Sequence, residues 1–254
     1  MRMMRDVRLV FLRYMMQTLN NPAWVVIGIV QPILYLVLFA PLLVKVASSA
    51  PGFPPGGAYN VFIPGLVVQL GLFGAAGVGF SLIAELRQGV IERFRVTPVN
   101  RVALLLGRAL RDVVIIVTQS LLLIVCAIPF GLKIDVRGTV VVLLLIGLIG
   151  LLTASIAYAV ALAVRSEDAY APIVFTSTLP LLLLSGVLLP MQLAPAWLRA
   201  VAAFNPLKYA VDAARAAFNH DLGSASVYQG FGIIIVLSVV AVLVAARSFS
   251  RAVA

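Results

Sequence analysis

Six stretches of this chain contain no Asp, Glu, Lys, Arg or His: Pro22–Val44, Ala58–Ala84, Val113–Leu132, Thr139–Val164, Ala169–Leu198 and Leu222–Ala246. They hold 23, 27, 20, 26, 30 and 25 residues. A helix needs about 20 residues to cross ~30 Å of hydrocarbon, so each stretch is long enough. Lipid offers no partner to a backbone N–H or C=O, and runs this continuously apolar lack the alternation of a barrel strand, so they read as helices. The expected fold is an all-α integral membrane protein, one transmembrane domain over 1–254. Its six transmembrane helices are placed at about 22–45, 58–84, 102–131, 138–164, 169–190 and 223–246. The first run is too long for a signal-peptide core and reads as retained.

Charge gives the orientation. A net charge of +10 on a soluble protein would point to nucleic acid, but here 63% of residues are hydrophobic and only 11% charged. Of the 19 Lys and Arg, thirteen lie in alternate segments: before the first run, between the second and third, between the fourth and fifth, and in the tail. The other side has six. The positive-inside bias therefore places both termini in the cytoplasm, together with the charged segment that follows the second run. The basic excess reflects topology and attraction to anionic lipid, with no nucleic-acid partner expected.

Ahead of the first span, Met4, Val7, Phe11, Met15 and Thr18 share one face of a helical wheel, with Arg2, Arg5, Asp6 and Arg13 opposite. This pattern, over 1–21, predicts a basic amphipathic helix lying along the membrane surface, as an anchor alone or also against a partner. Gln31-Pro32 predicts a kink in the first span. Gly71, Ala75 and Gly79 repeat at the spacing that lets membrane helices approach closely, within the subunit or at an interface. Between Pro190 and Asp221 two short external helices are expected, over about 195–220, as a re-entrant or interfacial hairpin. Asn205 caps the second of these and Pro206 stands at its first position. Lys208, Asp212 and Arg215 are spaced for side-chain pairing along it.

Chemistry is conspicuous by what the sequence omits. His220 is the sole histidine, placed in a loop between Asn219 and Asp221. Cys126 is the sole cysteine and can form no internal disulfide; it reads as a small core residue or a reactive thiol without an activator. There is no metal-ligand cluster, no paired intramembrane aspartates and no phosphate-binding loop with its lysine, so neither a catalytic residue nor a metal site is expected. Carriers coupled to an ion gradient bind a charge at depth, and the central portions of these spans have none. If the chain transports something, its energy comes from elsewhere.

The cytoplasmic segment runs ELRQGVIERFRVTPVNRVALLLGRALRD from Glu85. A short helix is expected to continue out of the second span and to stop at Thr97-Pro98, since the residue before proline avoids helical geometry. Arg108 and Asp112 are spaced to pair one turn apart. From Glu85 to Arg108 this segment resembles the coupling segment of ABC type-2 transporter permeases, closest to the daunorubicin-resistance-type group of drug and lipid exporters. FNPLKYAVDAAR, Phe204 to Arg215, is similar to that family's signature before the last span, and carries Asn205, Pro206, Tyr209, Asp212 and Arg215.

The resemblance implies the membrane subunit of an ATP-driven exporter in the bacterial inner membrane, paired with a second permease as homodimer or heterodimer. Two separate ATP-binding cassette subunits would bind the ATP and magnesium, with no cofactor in this chain. By position, Glu85, Arg87, Gly89, Glu92, Arg93, Arg95 and Pro98, in a coupling helix over about 85–99, would meet the ATPase. The substrate would be amphipathic, drug-like or lipid-like; export of a glycolipid or polysaccharide is the alternative. Tyr35, Phe39, Phe62, Gln69 and Phe73 are the candidates to line a path. A non-ABC membrane enzyme lacks polar groups at depth, and a channel lacks a charge ring or filter.

Overall fold

The structure is a computed structural model and describes residues 2–39, 41, 42, 44, 57–90, 101–132, 135–188 and 190–252. These are helical nearly throughout, with no strand among them. In chain order the helices are α1 (Arg2–Asn20), α2 (Ala23–Leu34), α3 (Gly57–Arg87), α4 (Arg101–Ala127) and α5 (Val136–Val164). Then come α6 (Glu167–Leu184), α7 (Ala196–Ala202), α8 (Pro206–Phe218) and α9 (Ala225–Ala252).

Four of them, α3, α4, α5 and α9, are long and apolar enough to cross a membrane. The pair α1 and α2, bent by 66°, makes a fifth if counted as one span. The expected six are therefore four or five by length and composition among the described residues. Helix α6 has 18 residues, two acids in its first turn and Pro172 and Pro180 inside it, which lower its mean hydropathy. Helix α2 runs through Pro32 and then loosens into a π turn at Tyr35–Phe39, just past the expected kink. Proline removes a helix hydrogen bond, and a π turn is one way to absorb the loss.

Helix α5 stands at the centre and packs against α3, α4, α6, α8 and α9. The Thr153 hydroxyl is shared between the Gly71 carbonyl of α3 at 2.9 Å and its own helix's Ile149 carbonyl at 2.8 Å. Ser238 of α9 donates to the Leu148 carbonyl at 3.1 Å. Such short-armed bonds join helices where lipid supplies no hydrophobic drive. Three small residues of α3 serve packing within the subunit, with Gly71 against Ile149, Gly74 against Ile116 and Gly79 against Tyr170. Buried apolar side chains form two clusters, one around Phe62, Ile149 and Phe218 and one around Leu82, Leu105, Tyr158 and Phe249. The second lies at the end of the bundle that carries both termini.

Helix α1 differs from the expectation in its buried face. Val10 and Tyr14 are the residues buried, while Met4 is 78% exposed. The helix docks on α4 rather than resting on lipid alone, and the contact with α4 selects the stripe through Val7, Val10 and Tyr14. Gly107 makes that contact possible: a Cβ there would stand 2.7 Å from the Val10 Cβ and 2.9 Å from the Val7 carbonyl. Gly107→Ala should cost about 1–3 kcal/mol, as overpacking of a tight contact does. Gly77→Ala, in open space, should cost little. Thermal unfolding of both variants in one detergent checks this; equal midpoints would mean that α1 is not seated at Gly107.

Candidate functional site

Helices α3 and α4 run antiparallel, so the last turn of α3 and the second turn of α4 lie at one depth. Glu85 and Arg108 occupy those turns. Arg108, 3% exposed, forks onto the Glu85 carboxylate, with Nη1 2.6 Å from Oε2 and Nη2 3.1 Å from Oε1. Two parallel charge-assisted bonds of this kind fix angle as well as distance. The Tyr14 hydroxyl of α1 donates to Glu85 Oε2 at 2.8 Å and accepts from Arg108 Nη1 at 3.1 Å. The guanidinium also lies over the Tyr14 ring, 4.6 Å from its centroid, and 5.4 Å from that of Tyr158. Cation–π contact of that closeness compensates a desolvated charge.

One turn further along α4, Asp112 is bonded by Arg111 Nη1 at 2.5 Å and by the Tyr158 hydroxyl of α5. Two carboxylates and two guanidiniums thus balance within one buried cluster drawn from α1, α3, α4 and α5. Balance matters, because a buried charge without its partner is costly whereas a compensated one is tolerated. The expected Arg108–Asp112 pair does not form: Arg108 turns to Glu85 on α3, while Asp112 takes the adjacent Arg111 on its own helix and the Tyr158 hydroxyl on α5. Tyr14 and Tyr158 were not foreseen. Tyr14 falls on the apolar stripe of α1 with a polar tip, which is the signal that could have marked it.

The remaining coupling candidates divide. Arg87 is exposed and meets Glu167 of α6 at 3.3 Å. Gly89 adopts φ 68, a left-handed conformation that ends α3 after Arg87 instead of continuing the helix. Glycine takes that geometry without a Cβ penalty. Glu92, Arg93, Arg95 and Pro98 lie outside the described residues.

At the opposite end, Asn205 caps α8 by accepting from the Leu207 N–H at 3.0 Å, with Pro206 at the first helical position. Its amide also donates to the Leu181 carbonyl of α6 at 2.7 Å. Arg215 is buried: Nε donates to the Val61 carbonyl at 2.9 Å and Nη2 to the Gly186 carbonyl at 2.6 Å. Asp212 stands 4.0 Å from its Nη1. Burial lowers Arg215 to about 10 and raises the Asp212 carboxyl. Tyr209 donates to the Ala203 carbonyl at 3.0 Å, and Lys208 lies over the Tyr209 ring at 5.3 Å rather than pairing with Asp212. His220 sits in a turn, 3.6 Å from Asp135, whose carboxyl is held low mainly by the Gly138 N–H.

Of the candidate path residues, Phe62 and Gln69 are 1% and 2% exposed, inside the subunit's own packing. Tyr35 and Phe73 are half-buried against the core. The Phe39 side chain lies outside what is described.

Long apolar helices, with buried charges at the two ends of the bundle among the described residues, define a multi-pass membrane protein. Residues 5–219 match the family described as ABC-2 type transporter, and the chain belongs to that family as a transporter permease. A transport permease, ycf38, of Cyanophora paradoxa is 27% identical over 223 residues, covering 85% of this chain and 76% of that protein. Its counterpart in Pyropia yezoensis is 24% identical over 216 residues, covering 84% and 74%. The daunorubicin resistance ABC transporter permease protein DrrB1 of Streptomyces coeruleorubidus is 24% identical over 221 residues, covering 83% and 74%.

Arg108→Met leaves the Glu85 carboxylate buried without its counter-charge, a loss of about 3–5 kcal/mol. The double variant Glu85→Met with Arg108→Met removes both charges and should recover much of that. Unfolding midpoints of the single and double variants test it. A double variant as damaged as the sum of its parts would show that the two side chains are energetically independent.

Proposed function

We propose that this chain is the membrane subunit of an ATP-driven exporter that moves an amphipathic, drug-like or lipid-like molecule outward. On this reading it pairs with a second permease and works with two separate ATP-binding cassette subunits, which bind and hydrolyse ATP with magnesium. The observation that carries the reading is the buried cluster at Glu85 and Arg108, a few residues in sequence from the charged segment 91–100, in a chain of the ABC-2 family. A push on that segment would reach α4 through Arg108, α1 through Tyr14 and α5 through the Asp112–Tyr158 bond, without first being absorbed by loose side chains. The drug-resistance relative supports the substrate class and the direction.

Six spans fit this reading if α2 with the residues after it, and α6, each cross the membrane. Both termini and the Glu85 cluster then face the cytoplasm of a bacterial cell, as the charge distribution favours. The Asp135 and Asn205 end faces out. Single cysteines at Arg137 and Ala203, with Cys126 replaced, should be labelled in intact cells by a membrane-impermeant reagent, and one at Arg87 should not. The reverse pattern would invert the topology.

Function is tested by co-expression with a candidate ATPase. The chain should purify with it, and substrate should stimulate ATP turnover by the complex and not by the permease alone. A drug panel and a lipid and glycan panel separate the substrate classes. Glu92→Ala and Arg93→Ala should weaken assembly, because losing one partner of a desolvated interface pair costs about 2–5 kcal/mol. Pro98→Ala should keep assembly and lower transport per ATP, by letting the helix before it run on. ATP turnover by the purified permease alone would remove the reading.

A further inference from the structure

The motif from Phe204 to Arg215 has polar residues at both ends, and both reach the same neighbour. Asn205 donates to the Leu181 carbonyl and Arg215 to the Gly186 carbonyl, so α8 holds the last turn of α6 and the turn just after it. A helix C-terminus presents unpaired carbonyls and a partial negative charge, which is where a guanidinium fits best. Arg215 simultaneously donates to Val61 of α3, so one side chain ties three elements. Only a planar fork with donors on separate nitrogens can do this; an ammonium concentrates its donors on one atom.

The rest of α6 is thinly held. Tyr170, Thr178 and Leu182 are its only buried residues, while Ile173, Phe175, Leu179 and Leu183 are about half exposed. Pro172 and Pro180 each delete an internal hydrogen bond, which makes the helix easier to bend. Its inner end is fixed differently: the Tyr170 ring fills the space where a Cβ on Gly79 would stand, and Phe80 meets that ring edge-on at 5.0 Å. Its outer end touches α3 where the Val187 carbonyl abuts Gly65, again where a Cβ would stand. Helix α8, by contrast, is buried along most of its length against α9, α5 and α3.

We propose that Asn205 and Arg215 form a catch that positions the outer end of α6, and that α6 swings on Tyr170 when the catch lets go. The catch consists of side-chain donors on main-chain carbonyls, bonds that can be exchanged for water at the membrane surface without leaving a carboxylate unpaired on α6. Its place in transport rests on the exporter reading above; the catch itself does not.

Val187, 1% exposed, is the reporter. Val187→Cys in a Cys126→Ser background is labelled with a soluble maleimide, using the full chain in lipid nanodiscs. Ala154→Cys, on the fully buried face of α5, is the control. Arg215→Gln and Asn205→Ala should each raise the Val187 labelling rate about tenfold or more, the scale of losing a charge-assisted or buried hydrogen bond, and leave the Ala154 rate unchanged. Arg215→Lys should fall between, because it keeps the charge and loses the fork. Unchanged labelling at Val187, or an equal rise at both reporters, overturns the catch. In the complex with its ATPase, trapping with a nucleotide analogue should raise Val187 labelling of the parent and not of Arg215→Gln. A parent that does not respond, beside variants that behave as expected, overturns the use of the catch in the ATP-driven step alone.

Discussion

A guanidinium taken out of water has to be answered by its surroundings, and the way Arg108 is answered organises one whole end of this bundle. Its carboxylate partner is on α3, its hydroxyl partner on α1, and aromatic rings from α1 and α5 lie within 5.4 Å. None of these elements can shift far without uncovering charge. The neighbouring Asp112 repeats the arrangement with Arg111 and Tyr158 and extends it into α5, the helix on which α3, α4, α6, α8 and α9 all pack. The cost of separating buried charges therefore makes four helices behave as one piece there, which apolar packing in lipid would not accomplish by itself.

The opposite end solves the same problem with different chemistry. Arg215 is buried too, but its acceptors are main-chain carbonyls and its nearest carboxylate, Asp212, is 4.0 Å away. A carbonyl released from a guanidinium can be satisfied by a water at far less cost than a carboxylate released in the interior. One end is thus tied by full charge pairs and the other by a charge on dipoles. Between them the described interior offers short hydroxyl bonds such as Thr153 to Gly71 and the Gln119 amide on the Val25 carbonyl, with Gln69 also buried, but no ion pair.

Much of this was legible in the sequence, and the limits have physical causes. Runs without charge announce membrane helices because lipid forbids the alternatives, so α3, α4, α5 and α9 came out where composition placed them. Helix α6 is less plain, since Glu167, Asp168, Pro172 and Pro180 dilute it, and the charge-free run 169–198 that suggested a span also takes in the turn at Met191–Leu193 and the first three residues of α7. The face of α1 was misplaced because periodicity finds an apolar stripe but not the partner that chooses among neighbouring stripes; Gly107 and Glu85 chose the one through Val10 and Tyr14. Spacing along one helix likewise suggested Arg108 with Asp112, when Glu85 on α3 takes Arg108 and the adjacent Arg111 takes Asp112. The local features fared better: the Asn205 cap and the Pro206 start depend on a few consecutive residues and are found as expected.

The difference between the two ends bears on how a motion could pass along the molecule. An element that transmits displacement has to be stiff where it is driven and free to part where work is delivered. The cluster at Glu85 supplies stiffness a few residues before, in sequence, the segment that on the proposed reading meets the ATPase. Helix α5 leads from that cluster to the buried face of α8, and α8 holds the end of α6 through Asn205 and Arg215. Helix α6 buries only Tyr170, Thr178 and Leu182, the fewest among the long helices packed on α5, so it is the element that a displacement carried through α5 and α8 would release at the smallest cost. On the proposed reading, coupling of this kind needs no charge in the middle of the membrane, and the charge-free centres of the spans are compatible with it.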